Sequence, residues 1–144
     1  MSDRPVALVT GAGRRLGAEI AVALAAQGMR VAIHQHASPN EAADVLARVR
    51  HAGGDGVVLE ADLCDRRACQ GLVDDTAQKL GGLDLLVSSA ATFEPATLDD
   101  LTDSLWDRTL ALNLTAPLVL ARAAAPHLRA RRGSIVVLTC TSAE

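Results

Sequence analysis

The 144-residue chain is poor in aromatic side chains, with no tyrosine, one phenylalanine and one tryptophan. An enzyme that uses a phenol as its proton donor finds none among these residues. Long hydrophobic runs are also missing, since no apolar stretch approaches the roughly 20 residues that a membrane-spanning helix needs. Together with a net charge of −3 and a hydrophobic content of 49%, these absences predict a globular protein with no nucleic-acid or membrane partner.

Cysteine is scarce and lacks the spacing of a binding motif. The chain has Cys64, Cys69 and Cys140, an odd number with no C-x-x-C pair. We therefore expect reduced thiols and a cytoplasmic protein. No metal site is expected, because the spacings of zinc ligands are missing as well.

Short apolar runs alternate with longer helical patterns along the chain. The strand-length runs lie at 6–10, 30–35, 56–62, 83–91 and 133–139, and the helical patterns lie at 16–28, 41–54, 66–82 and 101–131. Crossovers of this length suit only parallel pairing. The sequence therefore predicts an α/β fold in residues 1–144, a single Rossmann-like domain. Its doubly wound parallel sheet has helices on both faces and strand order 3-2-1-4-5.

The segment VTGAGRRLGAEIA at 9–21 joins the first strand to the first helix through a glycine-rich turn. Sheets of this type bind ligands at the carboxyl ends of the strands, where the strand order reverses, and the turn lies there. Gly11 allows a tight turn, and the free N–H groups of the first helical turn favour an anion. The G-x-G-x-x-G dinucleotide motif is matched only in part, because Leu16 replaces its third glycine.

Arg14 and Arg15 stand where the first helix begins. The helix dipole disfavours a cation there by about 0.3–1 kcal/mol each. Two guanidinium groups at this position are explained if a phosphate binds between them and the turn. Solvated surface arginines are the alternative.

The end of the second strand bears on which nucleotide binds. An NAD-binding sheet usually places Asp or Glu about 20 residues after the turn, where it bonds the ribose 2′-hydroxyl. The corresponding residues, HQHAS, include no carboxylate. A carboxylate would repel a 2′-phosphate, whereas His34, His36 and Ser38 together with Arg14 would accept one. The sequence thus favours NADP(H), with ordinary surface histidines as the alternative.

Asn113 is a candidate catalytic residue on physical grounds. Pro117, four residues later, has no N–H to donate to the Asn113 carbonyl. That carbonyl is left to hold a water molecule, and the helix is expected to kink there. A plain proline kink is the alternative.

These motifs resemble those of the short-chain dehydrogenase/reductase family over essentially the whole chain. TGAGRRLG at 10–17 is similar to the family turn Thr-Gly-x-x-x-Gly-x-Gly, with Arg15 at the middle glycine, and this variant resembles the pteridine reductase branch. HQHAS, ADL at 61–63, SSAATF at 88–93 and LNLTAP at 112–117 follow in family order. The resemblance implies an NADPH-dependent oxidoreductase that transfers hydride to a carbonyl or a pterin-like C=N bond of a small molecule. It also implies a homo-oligomer.

The resemblance also assigns residue roles. Asp62 and Leu63 would meet the adenine edge, and Phe93 would stack on the substrate unless it is a core residue. Ser89, Ala90 and Ala91 replace the family's Asn-Ala-Gly, which lines the cofactor. The full set of expected cofactor-binding residues is Gly11, Arg14, Arg15, Leu16, His34, His36, Ser38, Asp62, Leu63, Ser89, Ala90 and Ala91.

Family catalysis uses Ser, Tyr and Lys, the last two in a Tyr-x-x-x-Lys motif that these residues do not contain. Asn113 matches the family asparagine whose carbonyl anchors a proton-relay water. Cys140 falls at the family's serine, where pteridine reductases have aspartate. The resemblance therefore implies the N-terminal portion of a longer enzyme. A non-catalytic NADP(H)-binding module or sensor, and an interaction scaffold, are the alternatives.

Overall fold

The structure, a computed structural model, describes residues 4–140. The strands are β1 Val6–Val9, β2 Arg30–Gln35, β3 Asp55–Glu60, β4 Leu85–Ser88 and β5 Ser134–Val137. The helices are α1 Arg15–Ala26, α2 Pro39–His51, α3 Arg66–Leu80, α4 Asp103–Leu110 and α5 Ala116–Arg131, with a π-helical turn at Ala111–Thr115 between the last two. The five strands pair in parallel in the order β3-β2-β1-β4-β5, which confirms the predicted topology.

The central strand β1 is buried on both faces, as expected for a parallel sheet covered by helices. Leu8 contributes to a cluster with Leu72 of α3 and Leu120 of α5. The next residue, Val9, contributes to a second cluster, with Ala21 of α1 and other residues of α1 and α2. The two clusters confirm that helices cover both faces of the sheet. Pairing with β2 and β4 places the carboxyl end of β1 between those two strands.

The last strand and the helices before it expose apolar surface. All four residues of β5 are exposed, including Ile135 and Val137, although the strand pairs with β4 along its length. Leu114 and Leu118 are exposed as well. Large exposed apolar patches are typical of contact faces. None of the helices within residues 4–140 is long and apolar enough to cross a membrane.

The helix around Asn113 is interrupted, as the sequence predicts. The interruption takes the form of the π-helical turn, in which the Ala116 N–H donates to the Ala111 carbonyl five residues earlier. Pro117 lies one residue beyond the turn and has no N–H. Single π turns of this type are common at functional sites.

Candidate functional site

The glycine turn between β1 and α1 is crowded by backbone from several directions. Gly11 has a φ of +62°, and a Cβ there would lie 2.8 Å from the Cα of Ala90. A Cβ on Gly17 would meet the Gly11 carbonyl oxygen, and one on Gly13 would meet the Ser38 Oγ. Glycine at these positions lets the chain pass close to β4 and α2. The turn is therefore packed closely against the segment after β4 and the start of α2.

Arg14 and Arg15 occupy the N-terminus of α1, as the sequence predicts. Arg14 is the N-cap residue in an extended conformation and supplies no side-chain cap. Arg15, the first helical residue, has a φ of +51°, a left-handed conformation that favours glycine. Both side chains are exposed, and neither forms an ion pair with a carboxylate in the described part of the chain. Two cations and uncapped helical N–H groups are therefore available to an anion at the same place.

His34 lies inside the protein rather than at the surface. Its side chain sits on β2 with 3% of the residue exposed. Its Nδ1 accepts a hydrogen bond from the Gly11 N–H at 3.0 Å, and its Nε2 pairs with the Ala61 carbonyl at 2.9 Å. Burial lowers the pKa of His34, outweighing the Ala61 carbonyl, which raises it. Because both ring nitrogens are occupied, the expected contact between this ring and the cofactor is corrected: His34 holds the glycine turn.

The other predicted residues at the end of β2 differ in exposure. His36 is exposed. Ser38 is buried against Gly13 and is the N-cap residue of α2, but its side chain makes no cap bond. Its N–H donates instead to Gln35 Oε1 at 2.9 Å. The structure thus brings the Ser38 hydroxyl next to the glycine turn that carries Arg14.

Thr10 is a site residue that the sequence reasoning did not select. It is completely buried, and its Oγ1 accepts hydrogen bonds from the N–H groups of Ser89 at 3.0 Å and Ala90 at 3.1 Å. These bonds tie the glycine turn to the segment after β4. They also explain why β4 ends at Ser88 rather than continuing to Ala91. The position of Thr10 directly before Gly11 in the turn motif is the sequence feature that could have identified it as a site residue.

Replacing Thr10 by valine tests this link. The substitution keeps the shape but leaves the two N–H groups without their acceptor, which costs about 1–3 kcal/mol for a buried group. We expect a loss of that size in the free energy of unfolding, measured by urea denaturation. Thr10→Ser, which keeps the hydroxyl, should lose less than half as much. A Thr10→Val protein as stable as wild type, with a loss confined to Thr10→Ser, would show that the methyl group matters and the hydroxyl does not.

Asn113 joins the π-helical turn to the loop after β4. Its Oδ1 accepts from the Thr92 N–H at 2.9 Å, and its Nδ2 donates to the Thr92 carbonyl at 2.8 Å. The sequence argument concerned its backbone carbonyl and missed this side-chain role. Phe93, the next loop residue, is 83% exposed, which rules out the alternative of a core phenylalanine. The loop is thus held in place while its aromatic ring faces solvent.

The remaining predicted residues are divided between surface and core. Asp62 is exposed, and its Oδ1 accepts from the Cys64 N–H at 2.9 Å. The Leu63 side chain lies in the core with 4% of the residue exposed, and a contact between the adenine and Leu63 stays a prediction. Leu16 and Ala91 are exposed, and Ser89 and Ala90 are half-buried. Across residues 4–140, no group of three His, Cys, Asp or Glu residues is arranged to hold a metal ion.

Cys140 is exposed and follows β5. The Leu138 N–H donates to the Ser88 carbonyl at 3.0 Å, which joins the carboxyl ends of β4 and β5. Cys140 therefore lies at the same edge of the sheet as the other candidate residues. Cys69, by contrast, is buried, and burial raises the pKa of its thiol to about 11, which makes it unreactive at neutral pH.

A family model described as short chain dehydrogenase matches residues 5–144. Elsinochrome reductase 1 from Elsinoe fawcettii is 38% identical over 126 residues, which cover 88% of this chain and 47% of that protein. Versicolorin reductase 1 from Aspergillus parasiticus is 35% identical over 140 residues, covering 97% of this chain and 53% of that protein. The chain spans about half the length of the curated relatives it matches.

Solved structures show the same fold. A short chain dehydrogenase from Burkholderia cenocepacia, determined in complex with NADP, is 43% identical with a TM-score of 0.84, covering 86% of this chain and 51% of its own. The NADH-dependent reductase A1-R′ is 30% identical with a TM-score of 0.88, covering 93% of this chain and 57% of its own. Similar structures therefore include one described with NADP and one described as NADH-dependent.

Proposed function

The chain belongs to the short-chain dehydrogenase/reductase family, and from this premise we propose that it forms the NADP(H)-binding part of a reductase. The observation that carries the proposal is the glycine turn. Its three glycines leave no room for side chains, and Arg14 and Arg15 stand unpaired by any described carboxylate at the helix N-terminus beside it. A pyrophosphate and a 2′-phosphate supply the negative charge that this arrangement lacks.

The described residues fit such a cofactor. The N–H groups of the first turn of α1 would bind the pyrophosphate. Arg14, His36 and Ser38 would bind the 2′-phosphate, and Asp62 would meet the adenine. Arg15, Leu16, Ser89, Ala90 and Ala91 would line the rest of the crevice, with the backbone of Gly11 as its floor. The proposed preference for NADP(H) over NAD(H) depends on the sequence HQHAS at residues 34–38, which has no carboxylate that would repel a 2′-phosphate.

The cofactor would supply the hydride, and the protein would orient it and the substrate. Phe93, exposed on a loop that Asn113 holds, would contact the substrate. The Asn113 carbonyl would hold a water for proton transfer, and Cys140 would take the place of the family's serine. The substrate class is a carbonyl or a pterin-like C=N bond, and Arg15 in the turn supports the pteridine reductase branch. The 144 residues contain no tyrosine, so the proposed enzyme needs its phenolic acid from elsewhere in the natural chain.

We further propose a cytoplasmic homo-oligomer. The exposed leucines of α5 and the turn before it, Leu114 and Leu118, provide apolar area for contact between subunits.

The lack of tyrosine favours one other candidate, an NADP(H)-binding module without catalysis. The complete natural chain, incubated with NADPH and a panel of ketones, quinones and pterins, distinguishes the two. We expect NADPH oxidation that depends on one of these substrates. Tight NADPH binding without turnover would favour the module, and neither binding nor turnover would contradict both.

A further inference from the structure

His34 connects three segments that meet at the carboxyl edge of the sheet. It lies on β2, accepts from Gly11 in the glycine turn, and pairs with Ala61 just after β3. A backbone N–H only donates, and a backbone carbonyl only accepts. The two bonds therefore require one form of the ring, neutral and protonated on Nε2.

A second proton on this ring would oppose the turn directly. Protonated Nδ1 would point its hydrogen at the Gly11 N–H, so two donors would face each other at a separation that now measures 3.0 Å. Gly11 has little freedom to retreat. A Cβ added to Gly11 would lie 2.8 Å from the Ala90 Cα, and a Cβ added to Gly17 would meet the Gly11 carbonyl oxygen, so the backbone here is closely packed. Either the turn shifts or the ring leaves its buried position.

Burial and the neighbouring His36 favour the neutral form of the ring. The titratable groups on the neighbouring segments are Arg14 on the turn, His36 past the end of β2, and Glu60 and Asp62 at the end of β3. Desolvation is the largest cause that lowers the pKa of His34, and repulsion from His36 lowers it further. Glu60 accepts a hydrogen bond from Gln35 at 3.3 Å, and Asp62 is engaged with the Cys64 N–H.

We propose that His34 is a positioning residue whose protonation disorders the glycine turn, so that nucleotide binding weakens as the solution becomes acidic. The inference rests on the proposed function, because it concerns the same turn and the same nucleotide. It assigns His34 no contact with the ligand. The ring acts through the amide of Gly11.

The linkage between folding and protonation has a definite sign. The folded protein binds this proton less readily than the unfolded chain, whose histidine titrates near about 6.5. The stabilising contribution of neutral His34 is therefore fully present above the unfolded-state pKa. It is lost as the pH falls from the unfolded-state pKa toward the lower pKa of His34 in the folded state. Nucleotide binding to the folded protein should weaken as the pH approaches this lower folded-state pKa, because the ring becomes protonated there.

Two substitutions separate the two bonds. Asparagine places its amide oxygen near the position of Nδ1, so His34→Asn keeps an acceptor for Gly11. Glutamine places its amide near Nε2, so His34→Gln keeps the donor to Ala61 and loses the acceptor. Neither side chain titrates. The nucleotide phosphate titrates in all three proteins and cancels in the comparison.

The experiment is calorimetric titration of NADP⁺, which is stable in acid, into the complete natural chain from pH 5 to pH 8. At pH 8 we expect His34→Asn to bind within about threefold of wild type and His34→Gln to bind about tenfold more weakly, the usual effect of one lost acceptor. As the pH falls, wild type should lose affinity more steeply than His34→Asn. Parallel profiles for these two proteins would overturn the inference while leaving the proposed function intact. A wild-type protein that does not bind NADP⁺ at any pH would overturn both.

Nitrogen NMR of the wild-type imidazole provides a test that does not depend on the variants folding. We expect Nε2 protonated and Nδ1 unprotonated at neutral pH, with the Gly11 amide resonance shifting as the ring titrates. A ring protonated on Nδ1 at neutral pH would contradict the inference.

Discussion

Replacing Gly17 by alanine is expected to remove most of the NADP(H) affinity and to destabilise the protein. The added Cβ would meet the Gly11 carbonyl oxygen and would lie 2.9 Å from the Gly11 carbonyl carbon and 3.0 Å from the Ala12 Cα. All three are backbone atoms, so no side-chain rotation relieves the contact. Overpacking of this kind costs about 1–3 kcal/mol. Because the turn must move to accept the methyl group, we expect this cost to appear in nucleotide binding as well, as a loss of roughly 5-fold to 150-fold in affinity.

Gly71→Ala is the matched control. Gly71 lies within α3, and a Cβ there would meet no atom within 4 Å. Alanine in a helix is favoured over glycine by about 0.8–1 kcal/mol. We therefore expect this variant to be slightly more stable than wild type and to bind NADPH equally well. Urea denaturation and NADPH fluorescence titration measure both quantities. Wild-type affinity in Gly17→Ala would show that the ligand does not use this turn.

Replacing Arg14 by alanine should weaken NADPH binding selectively. A charge-assisted hydrogen bond to the 2′-phosphate contributes about 1.5–3 kcal/mol, which corresponds to roughly 10-fold to 150-fold in Kd. NADH lacks that phosphate, so its affinity should hardly change. The measurement is a parallel titration of both nucleotides on wild type and variant.

Arg50→Ala controls for net charge in the same titrations. Arg50 is exposed in the last turn of α2, at the opposite end of that helix from Ser38. The variant loses the same charge as Arg14→Ala, and we expect both affinities to stay within about twofold of wild type, because exposed distant charges are screened by salt. Equal weakening of NADPH and NADH by Arg14→Ala would rule out a specific 2′-phosphate contact.

The order of the elements follows from patterns that are local in the sequence. Strand-length apolar runs between helical patterns, with crossovers that suit only parallel pairing, determine the strand order and place the glycine turn at the carboxyl edge of the sheet. The interruption at Asn113 also follows from one local fact, the missing N–H of Pro117. These features did not require knowledge of which side chains meet in space.

The orientation of individual side chains, by contrast, could not be predicted without knowing which residues meet in space. In a strand buried on both faces, alternation does not separate ligand-facing residues from core residues, so His34 was expected to contact the cofactor. Thr10 and the Asn113 side chain bond to residues 79 and 21 positions away. Contacts at such separations leave no periodic trace in the chain.

The most direct test is a crystal structure of the protein soaked with NADPH. We expect the pyrophosphate to lie against the N–H groups at the start of α1. The 2′-phosphate should lie within hydrogen-bond distance of the Arg14 guanidinium and the Ser38 hydroxyl. Density for the phosphates at any other place, or a crevice with no nucleotide at saturating NADPH, would contradict this expectation.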